Sequence, residues 1–495
     1  MKILNPKQIK SIDQETIKNS NISSLELMEQ ASKAFVKVFQ GFVDVLSPVH
    51  IVCGTGNNGG DGLAISRILH EKGFKVFVYV VGELEKCTFD FKANLERCPL
   101  STKQIKGDDL PCFIEGVIID AIFGIGLNRP VVGLVSEIIK SINKSHLDIY
   151  AVDIPSGLFP DQANDITHII IKANRTISFQ IPKVCFFLPH NDQYIGQLHL
   201  VDIGLHKKSI AKQKTTSYFT QIEDLPVLPF REKFLYKHKA GTVQILAGSY
   251  GKMGAAVLAG KSCMRAGAGL VYMRIPRCGL DIIQIANPEV VVETDRDEKI
   301  ISEGKIRKEV NVIGFGPSIG TDPRTKTAIA EIIRSTVNPI VIDADGINIL
   351  SQDKILLEDL PYSSILTPHH GEFRRLVGNW NNDFQMLSLL RDLCKTYRIN
   401  VVLKGAYSIV CDVNGDIHFN STGNPGMSTA GSGDVLFGMV CAMLSQGMQP
   451  IDALKISVFL HGSSGDIVKS EKGMHSLIAT DLIDFLPEAM QLIYV

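Results

Sequence analysis

The residues of this chain that could do chemistry lie in two groups of glycine-rich segments, one in each half of the sequence. The first group comprises CGTGNNGGDG (53–62), DAIFGIGLNRP (120–130) and VDIPSG (152–157). Glycines let backbone N–H groups approach a phosphate, while Asn and Asp oxygens can bind hydroxyl groups or a cation. The group indicates a ligand with phosphate and hydroxyl groups, or a cation bound by oxygens. A tight turn would explain a single Asn-Gly pair equally well.

Two aspartates of this group lie near the ends of predicted strands. Asp120 and Asp153 each follow a run of Val and Ile, and Arg129 lies in the glycine-rich loop after Asp120. A lone aspartate in such a place usually caps a helix. In an open parallel sheet, however, ligands bind at the carboxyl ends of the strands, so three polar strand ends predict one shared crevice. Asp153 is the candidate acid or base there, alone or with another group.

The second group indicates phosphoryl transfer. Its segments are AGSYGKMGAA (247–256), GFGPSIG (314–320), TPHHGEF (367–373), KGAYS (404–408) and NPGMSTAGSGD (424–434). A glycine-rich helix N-terminus stabilises charge on a transferring phosphoryl group, and Asp434 directly after it can accept a proton from an attacking hydroxyl. The alternative is that Asp434 merely caps the helix. Asp343 and Asp345 could reach magnesium through water or cap a helix, and His369 and His370 lack the spacing of a zinc site.

The elements that must position these segments are strands and helices in alternation, the pattern of an α/β fold with parallel sheets. Ser23 and Glu26 predict a capped N-terminal helix, and another helix is expected to begin near Asp61. Asn414 and Gly415 predict a hairpin turn. Predicted strands lie at 49–53, 75–81, 116–123, 148–154, 242–248, 311–316, 339–345, 363–368, 400–405, 407–413 and 416–420.

The chain divides into two domains at a basic, proline-interrupted stretch, 206–239, which we expect to be an interdomain connection. The 495 residues would then form α/β domains of about 220 and 270 residues.

Composition limits the function further. Lys plus Arg number 51 and Asp plus Glu 52, so the net charge of −1 supplies no general field for a nucleic acid. The N-terminus lacks the apolar region of a signal peptide, and the longest apolar run, 435–444, is too short to span a membrane and is typical of a buried helix. Ten cysteines without a CxxC pair indicate reduced, mostly buried thiols. We expect a cytoplasmic protein without nucleic-acid or membrane partners.

The first group of segments resembles the NAD(P)H-hydrate epimerase domain over roughly residues 1–215, with a Rossmann-like three-layer fold. That family interconverts the two C6 epimers of hydrated NAD(P)H and binds one potassium ion per domain. The resemblance implies potassium ligands at Asn58, Asp120 and Ser156, whose oxygens suit a hard cation. It implies substrate-binding residues Asn57, Asn58, Gly59, Gly60, Asp61, Gly124, Ile125, Gly126, Leu127, Asn128, Arg129, Pro130 and Asp153, the last of them catalytic.

The second group is similar to the ribokinase-like fold, and more narrowly to the ADP-dependent NAD(P)H-hydrate dehydratase family, over roughly residues 225–495. Such enzymes phosphorylate the C6 hydroxyl and then eliminate phosphate, giving NAD(P)H, AMP and phosphate, and use magnesium with ADP. The resemblance implies that Asp434 is the catalytic base. It implies hydrate contacts at Ala256, Gly316, Ser318, His369 and Asp434, and nucleotide contacts at Lys404, Gly405, Ala406, Tyr407, Ser408 and Gly433.

Three residues depart from the family pattern. Ser318 and Ala430 stand where glycines are usual, and Ser408 stands for a threonine. Ala430 would be strained if its backbone required a positive φ.

Three alternative functions are consistent with the sequence. The first is a bifunctional repair enzyme acting on NADHX and NADPHX, expected as a homo-oligomer, although the residues themselves report no oligomeric state. The second is an ATP-dependent sugar or vitamin kinase with a glycine-rich binding module, since GSGD fits such kinases too. The third is an enzyme whose first domain only binds a nucleotide or a partner.

Overall fold

The computed structural model describes residues 1–107 and 110–493, so the expected end of the second domain at 495 lies outside the described residues. The chain forms two compact units. The N-terminal unit comprises Lys2–Thr215 with Asn382–Phe384, and the C-terminal unit comprises Met1, Thr216–Asn381 and the residues from Gln385 onward.

The N-terminal unit is a parallel sheet between helices. Its strands are β1 (Val49–Cys53), β2 (Val76–Val81), β3 (Thr102–Ile105), β4 (Val117–Ala121), β5 (Asp148–Val152), β6 (Arg175–Phe179) and β7 (Gln197–Val201). Its α-helices are α1 (Pro6–Ser20), α2 (Ser24–Phe39), α3 (Asn57–Glu71), α4 (Phe89–Arg97), α5 (Gly133–Lys144), α6 (Asp192–Ile195) and α7 (Lys207–Lys212). Short 3₁₀ helices lie at Leu84–Lys86, Val184–Phe187 and Pro189–Asn191.

The strand order β3-β2-β1-β4-β5-β6-β7 reverses direction between β1 and β4. Apolar side chains of α1 to α4 form a core with one face of the sheet, and those of α5 form a core with the other. This confirms the expected three-layer, Rossmann-like architecture. A reversal of strand order opens a crevice at the carboxyl ends of the strands, which is where such sheets bind ligands.

The predicted strands of this unit are confirmed at β1, β2, β4 and β5, while β3, β6 and β7 were missed. The capping box of Ser23 and Glu26 is confirmed at the start of α2. The expectation that α3 begins near Asp61 is wrong, because Gly56 is the N-cap and Asn57 is the first helical residue. The segment NNGGDG is therefore the first turn and a half of a helix, whose leading N–H groups have no partner within the helix.

The C-terminal unit contains the second sheet. Its strands are β8 (Ser217–Thr220), β9 (Thr242–Leu246), β10 (Leu270–Ile275), β11 (Val291–Thr294), β12 (Val312–Phe315), β13 (Ile340–Ile342), β14 (Ile365–Leu366), β15 (Asn400–Leu403), β16 (Ile409–Cys411) and β17 (Ile417–Asn420). The α-helices that follow α7 in the chain are α8 (Met253–Arg265), α9 (Leu280–Ala286), α10 (Pro323–Ser335), α11 (Ala344–Gln352), α12 (Ile355–Glu358), α13 (His370–Val377), α14 (Asp383–Tyr397), α15 (Ser432–Ser445), α16 (Pro450–Lys472), α17 (Ala479–Asp484) and α18 (Leu486–Gln491). Short 3₁₀ helices lie at Ile222–Asp224, Arg277–Gly279, Pro425–Met427 and Met474–Ser476.

The strand order in this sheet is β11-β10-β9-β12-β13-β14-β15-β16-β17-β8. Neighbours from β11 to β15 are parallel, and the predicted hairpin at Asn414 and Gly415 is confirmed by the antiparallel pair β16 and β17. The order reverses between β9 and β12, as it does between β1 and β4 in the first sheet. The run 435–444 lies in α15 and is buried, as predicted.

The stretch 206–239, expected to be an interdomain connection, includes the change of unit between Thr215 and Thr216, and it also contains elements that were not predicted. The stretch 206–239 contains α7 and β8, and β8 pairs with β17 at the edge of the second sheet. Its SYFT sequence is too short and too polar to signal a strand before its partner is known. The strands β10 and β11 were missed as well.

All ten cysteines are free thiols, as predicted, and most are buried. Among the described residues, no helix combines the length and the apolar character needed to cross a membrane.

Candidate functional sites

The N-terminal unit contains a cavity of about 800 Å³ at the carboxyl ends of β1, β4 and β5. It lies where the strand order reverses, as the sequence predicted for these three strand ends. The predicted residues that line it are Asn57, Asn58, Asp61, Gly124, Ile125, Gly126, Leu127, Asn128, Arg129 and Asp153. Its lining, as far as the described residues show it, does not include the predicted residues Gly59, Gly60 and Pro130.

Gly59 and Gly60 have a packing role beside this cavity. A Cβ atom on Gly59 would lie 1.8 Å from the carbonyl oxygen of Gly54, and one on Gly60 would lie 3.0 Å from Met28. Glycine is required at position 59 for the first turn of α3 to approach Gly54, just after β1, whereas Gly60 lies close to the flexible end of Met28 on α2. These two residues therefore place Asn58 and Asp61 in the cavity wall without lining it.

Asp153 is held by a buried lysine that the sequence analysis missed. Lys183 is 1% exposed, and its Nζ donates to Asp153 Oδ1 at 2.5 Å and to Ser178 Oγ at 2.8 Å. Ser178 Oγ and the backbone N–H of Phe179 also donate to Asp153 Oδ1, each at 3.0 Å. Three donors on one oxygen stabilise the charged carboxylate in a buried place.

Asp120 and Ser156 form a second polar group in this unit. Both are 0% exposed. Ser156 donates to Asp120 through Oγ at 2.6 Å and through its backbone N–H at 2.8 Å. Burial raises the pKa of Asp120 to about 6, against the lowering effect of these hydrogen bonds.

Asn58 packs on the loop after β4, to which Ser156 is hydrogen-bonded. Its side chain packs against Gly124. The preceding residue, Phe123, donates its backbone N–H to Ser156 Oγ, and Ser156 Oγ donates to the carbonyl oxygen of Phe123. The Nδ2 atom of Asn58 is buried and has no hydrogen-bond partner. Since the two ends of an amide are exchanged by a half-turn, this side chain can equally present its oxygen. Asn58, Asp120 and Ser156 thus offer a buried set of oxygens with one unsatisfied amide.

Further carboxyl groups enter the cavity wall from helices. Asp13 on α1 and Asp90 on α4 line the cavity with Asp61 and were not predicted. Burial raises the pKa of Asp13 to about 6, helped by the charge of Asp153 and opposed by that of Lys183. Burial also raises the pKa of Asp61 well above its ordinary value. The Asn5 and Gln8 capping box at the start of α1 was the signal that could have revealed this helix.

In the C-terminal unit, predicted residues gather at the carboxyl ends of β12 to β15 and the N-terminus of α15. Lys404, directly after β15, pairs with Asp343, directly after β13, with 2.8 Å between Nζ and Oδ1. A Cβ atom on Gly433 would lie 3.1 Å from the same Nζ. The lysine therefore lies against the first turn of α15, where Asp434 follows Gly433.

The electrostatics of this group set Asp434 apart. Burial raises its pKa to about 7, with Asp343 and Glu372 raising it further and Lys404 lowering it. Burial lowers the pKa of Lys404, but the charges of Asp343, Glu372 and Asp434 outweigh that effect, so its pKa is raised overall. The lysine stays protonated, and Asp434 titrates near neutral pH. Asp434 can accept a proton there, as a base requires.

The remaining predicted residues hold loops in place around this group. Ser318 takes a positive φ of 53°, and its carbonyl accepts from Ser249 Oγ at 2.8 Å. His369 is the N-cap of α13, with Nδ1 accepting from Gly371 N–H at 2.9 Å. Ala256 is fully buried in α8. The predicted nucleotide loop, Gly405, Ala406, Tyr407 and Ser408, joins β15 to β16 and is closed by a 3.3 Å hydrogen bond from Gly405 N–H to Ser408 Oγ.

Ala430 is not strained. The positive φ, 89°, falls on Gly431, and Ala430 is not among the described residues with positive φ. Two residues that sequence analysis missed support the helix start. His461 Nε2 donates to the Ser432 carbonyl at 3.0 Å, and Glu372 adds negative charge near Asp434.

No group of three or more His, Cys, Asp or Glu side chains within the described part of the chain could hold a metal ion.

Comparison with known proteins matches both units. Residues 243–488 match the NAD(P)H-hydrate dehydratase family, and residues 24–185 match the family described as YjeF-related protein N-terminus. A bifunctional NAD(P)H-hydrate repair enzyme from Moorella thermoacetica is 33% identical, over 95% of this chain and 93% of the relative. The enzyme of the same name from Coxiella burnetii is 30% identical, over 97% of each chain.

A solved structure resembles the C-terminal part. The ADP/ATP-dependent NAD(P)H-hydrate dehydratase of Bacillus subtilis, co-crystallised with ATP and Mg²⁺, has a TM-score of 0.50 and 27% identity. The match covers 56% of this chain and 98% of that one.

The buried pair of Lys183 and Asp153 leads to a prediction. Lys183→Met should lower the free energy of unfolding of the N-terminal unit by about 3 kcal/mol, because it leaves a buried carboxylate without its cation. Urea-dependent hydrogen exchange of β1 and β4 measures this in the full chain. The double variant Lys183→Met, Asp153→Asn should recover part of the loss.

Lys140→Met is the matched control, since Lys140 pairs with Glu137 at 2.8 Å on the surface. It should cost less than about 1 kcal/mol. Equal losses in the two lysine variants would contradict a special role for the buried pair.

Proposed function

Since the chain belongs to the family of bifunctional NAD(P)H-hydrate repair enzymes, we propose that its two sites, each as assigned below, act in turn on one damaged cofactor. The chain is an NAD(P)H-hydrate epimerase and an NAD(P)H-hydrate dehydratase. Epimerisation in the N-terminal unit supplies the S form, and dehydration in the C-terminal unit converts it to NAD(P)H. The observation that carries the assignment is the contact of Lys404 with Asp343 and with the helix start that bears Asp434.

The epimerase site is the cavity of the N-terminal unit. The N-terminus of α3 and the loop 124–130 supply backbone N–H groups for the phosphates of the substrate. Asp153 exchanges a proton with the oxygen bound to C6, since its carboxylate lies in the cavity wall beside Lys183. The packing of Gly59 and Gly60 keeps the helix start in place.

One potassium ion fits the buried oxygens of Asn58, Asp120 and Ser156. The unsatisfied amide of Asn58 supports this, because a buried polar group without a partner is costly. The donors are amide, carboxylate and hydroxyl groups, which suit a hard cation and not a soft one. Such an ion supplies positive charge for the oxygens of the substrate. Ser156 holds the side chain of Asp120 in place through two hydrogen bonds.

The dehydratase site transfers a phosphoryl group from the nucleotide to the C6 hydroxyl. Asp434 takes the hydroxyl proton, and the N–H groups at the start of α15 stabilise the phosphoryl oxygens. Lys404 adds a positive charge beside them. Loss of phosphate from C6 then restores the dihydronicotinamide ring.

ADP with magnesium is the proposed phosphoryl donor. The loop 404–408 and Gly433 hold the nucleotide. The magnesium ion is expected to enter with the nucleotide, because protein-bound magnesium is usually held by one or two carboxylates together with the phosphates of the substrate. Asp343 is engaged by Lys404 and Asp345 Oδ2 by Gly320 N–H at 2.9 Å, so both side chains have structural partners.

Two further assignments belong to this proposal. The enzyme acts in the cytoplasm, a reducing compartment in which its ten thiols stay reduced. It forms a homo-oligomer, which light scattering of the purified chain would test.

The first prediction is that each activity can be removed separately. Hydrated NADH is supplied with ADP, ATP or no nucleotide, and recovery of dihydronicotinamide absorbance is followed. Asp434→Asn should abolish recovery and leave epimer exchange intact, whereas Asp153→Ala should stop epimer exchange and leave recovery from the S epimer. Near-normal recovery by Asp434→Asn would remove it as the base.

The nucleotide arms of the same assay separate the alternatives. Recovery with ADP supports the proposed donor, and recovery with ATP alone assigns ATP. If recovery by the wild-type chain stops once the S epimer is exhausted, the N-terminal unit is not an epimerase.

The second prediction concerns pH. Because burial raises the pKa of Asp434 to about 7, the rate of the chemical step should increase about tenfold per pH unit below 7 and level off above it. Pre-steady-state recovery with ADP and the S epimer between pH 5.5 and 8.5 measures this. A flat profile would rule out Asp434 as the titrating base.

Stability provides a control on the same residue. A raised folded-state pKa stabilises the protein below the unfolded value, near 4, and this contribution is lost as pH rises through about 7. Asp434→Asn avoids that loss, so at pH 8 the variant should unfold at a higher temperature than the wild type. A variant that unfolds earlier would indicate a damaged fold instead of a lost base.

The third prediction concerns potassium. Epimer exchange in chelated, potassium-free buffer should fall at least tenfold when sodium replaces potassium, and added potassium should restore it. Ser156→Ala should raise the potassium concentration needed for half-maximal exchange. Recovery from the S epimer is the internal control for the C-terminal unit, and unchanged exchange without potassium would exclude the proposed ion.

A further inference from the structure

The anion segment, residues 422–432, runs from the end of β17 into the first residue of α15. It contains the 3₁₀ helix Pro425–Met427 and consists otherwise of loops and a turn. N–H groups stabilise a phosphoryl group in transfer only if they already point at its oxygens before the reaction. An element outside the segment must therefore hold it in place.

Helix α16 holds the start of the anion segment along one face. Thr422 Oγ1 donates to the carbonyl oxygen of Phe459 at 2.8 Å. Asp466 accepts through Oδ2 from the backbone N–H of Gly423 at 2.9 Å and through Oδ1 from Asn424 Nδ2 at 3.0 Å. Phe459 and Asp466 are seven residues apart, so they lie on the same face of the helix. The Asp466 carboxylate thus binds two consecutive residues of the segment.

A second face of α16 holds the end of the segment. His461 Nε2 lies 3.0 Å from the carbonyl oxygen of Ser432. Since a carbonyl oxygen only accepts, Nε2 must carry the hydrogen. Burial lowers the pKa of His461 to about 4, so the neutral ring has this single N–H to donate. Gly465, one turn further along α16, lies against Met427 in the middle of the segment.

Two glycines allow α16 to come this close. A Cβ atom on Gly462 would lie 2.2 Å from Thr422 Oγ1, and one on Gly465 would lie 2.3 Å from Met427 Sδ. Glycine inside a helix is unfavourable, so two of them within one turn indicate that close approach is required here. The sequence HGSSGD (461–466) therefore combines two hydrogen-bonding side chains with the space that admits the segment.

We propose that His461 and Asp466 are positioning residues of the dehydratase, which fix the two ends of the anion segment so that the N–H groups at the start of α15 point at the phosphoryl group. The inference rests on the proposed dehydratase function. Both residues act through the backbone of the segment, at Ser432 and Gly423, and not through contact with the nucleotide or the hydrate.

This role has a kinetic signature. N–H groups held in place stabilise the charge that develops in the transition state more than they stabilise the bound nucleotide. Loosening the segment should therefore lower kcat and leave KM for ADP nearly unchanged. Phosphoryl transfer yields AMP, and NADH forms only afterwards, so the two products should slow to the same extent.

Substitutions of His461 test one end of the segment. Formation of AMP and of NADH is followed with the full chain, the S epimer of hydrated NADH and varied ADP. His461→Leu should lower kcat at least tenfold and keep KM for ADP within threefold of the wild type. His461→Gln retains an N–H at nearly the same reach and should keep kcat within threefold. A raised KM with unchanged kcat, or equal losses in the two variants, would overturn the proposal.

Asp466 is tested by exchanging its carboxylate with an amide. Asp466→Asn places an amide donor against one of the two donors of the segment and should also lower kcat at least tenfold. The double variant Asp466→Asn, Asn424→Asp reverses donor and acceptor, preserves both hydrogen bonds and should return kcat to within threefold of the wild type. A double variant no faster than the single one would remove Asp466 from the proposal.

Two controls separate positioning from loss of the fold. Ser464→Ala removes a buried hydroxyl that donates to the Leu460 carbonyl within α16 at 2.9 Å. His50→Leu removes another buried histidine, whose Nε2 lies 3.1 Å from the carbonyl oxygen of Glu115 in the N-terminal unit. Both variants should keep kcat within threefold. Hydrogen exchange in β9 and β12 should stay as slow as in the wild type for every variant.

The remaining outcomes are equally distinct. A loss of kcat that follows faster hydrogen exchange in β9 and β12 indicates a purely structural role and overturns the proposal. AMP formation that continues while NADH formation slows assigns the segment to the elimination step and overturns it as well. If the wild-type chain forms no NADH with either ADP or ATP, the proposed dehydratase function itself fails.

Discussion

A buried carboxylate must be paired, hydrogen-bonded or protonated, and both sites of this chain are built on that constraint. In each unit one lysine, fully buried in the case of Lys183 and one-fifth exposed in the case of Lys404, interacts with several acidic groups at the carboxyl ends of parallel strands. Lys183 contacts Asp153 directly, and Lys404 contacts Asp343 directly. The other carboxyl groups nearby interact with these lysines only at longer range. Two of the less directly paired carboxyl groups have raised pKa values, about 6 for Asp13 and about 7 for Asp434. Acid and base chemistry at neutral pH requires such a division of pKa values among neighbouring carboxyl groups.

The division has opposite consequences in the two units. In the N-terminal unit the paired group, Asp153, is the one assigned to chemistry, and burial raises the pKa of Asp61 well above its ordinary value. In the C-terminal unit the paired group, Asp343, holds the lysine, and the less compensated Asp434 is assigned as the base. Burial therefore disfavours the ionised form of Asp434, which is the form that must act as the base. A site that needs a reactive carboxylate gives up some folding stability at the pH at which it works.

The sequence predicts the central strands well because they are buried on both faces and read as Val and Ile runs, as in β1, β4 and β9. Strand β10 is equally buried but was missed, since it contains Arg274, whose charge is satisfied only by Asp295 and Glu303 in the folded chain. The glycine-rich strand ends were predictable from local motifs. Lys183 was not, because it lies 30 residues after Asp153 in the chain and no spacing rule connects them. Partners of this kind are fixed by tertiary packing alone.

Near-neutral composition also follows from this arrangement. A nucleotide binder with a net charge of −1 has no general field to attract its ligands, so the attraction must be local. The helix starts at Asn57 and Ser432 provide it, since their leading N–H groups have no partner within the helix and point at the strand ends. Strand order places both starts beside a reversal of the sheet, at β1 and β4 in one unit and near β9 and β12 in the other. Two lysines add to this local attraction, and solvent screens them less than surface charges because Lys183 is 1% and Lys404 20% exposed.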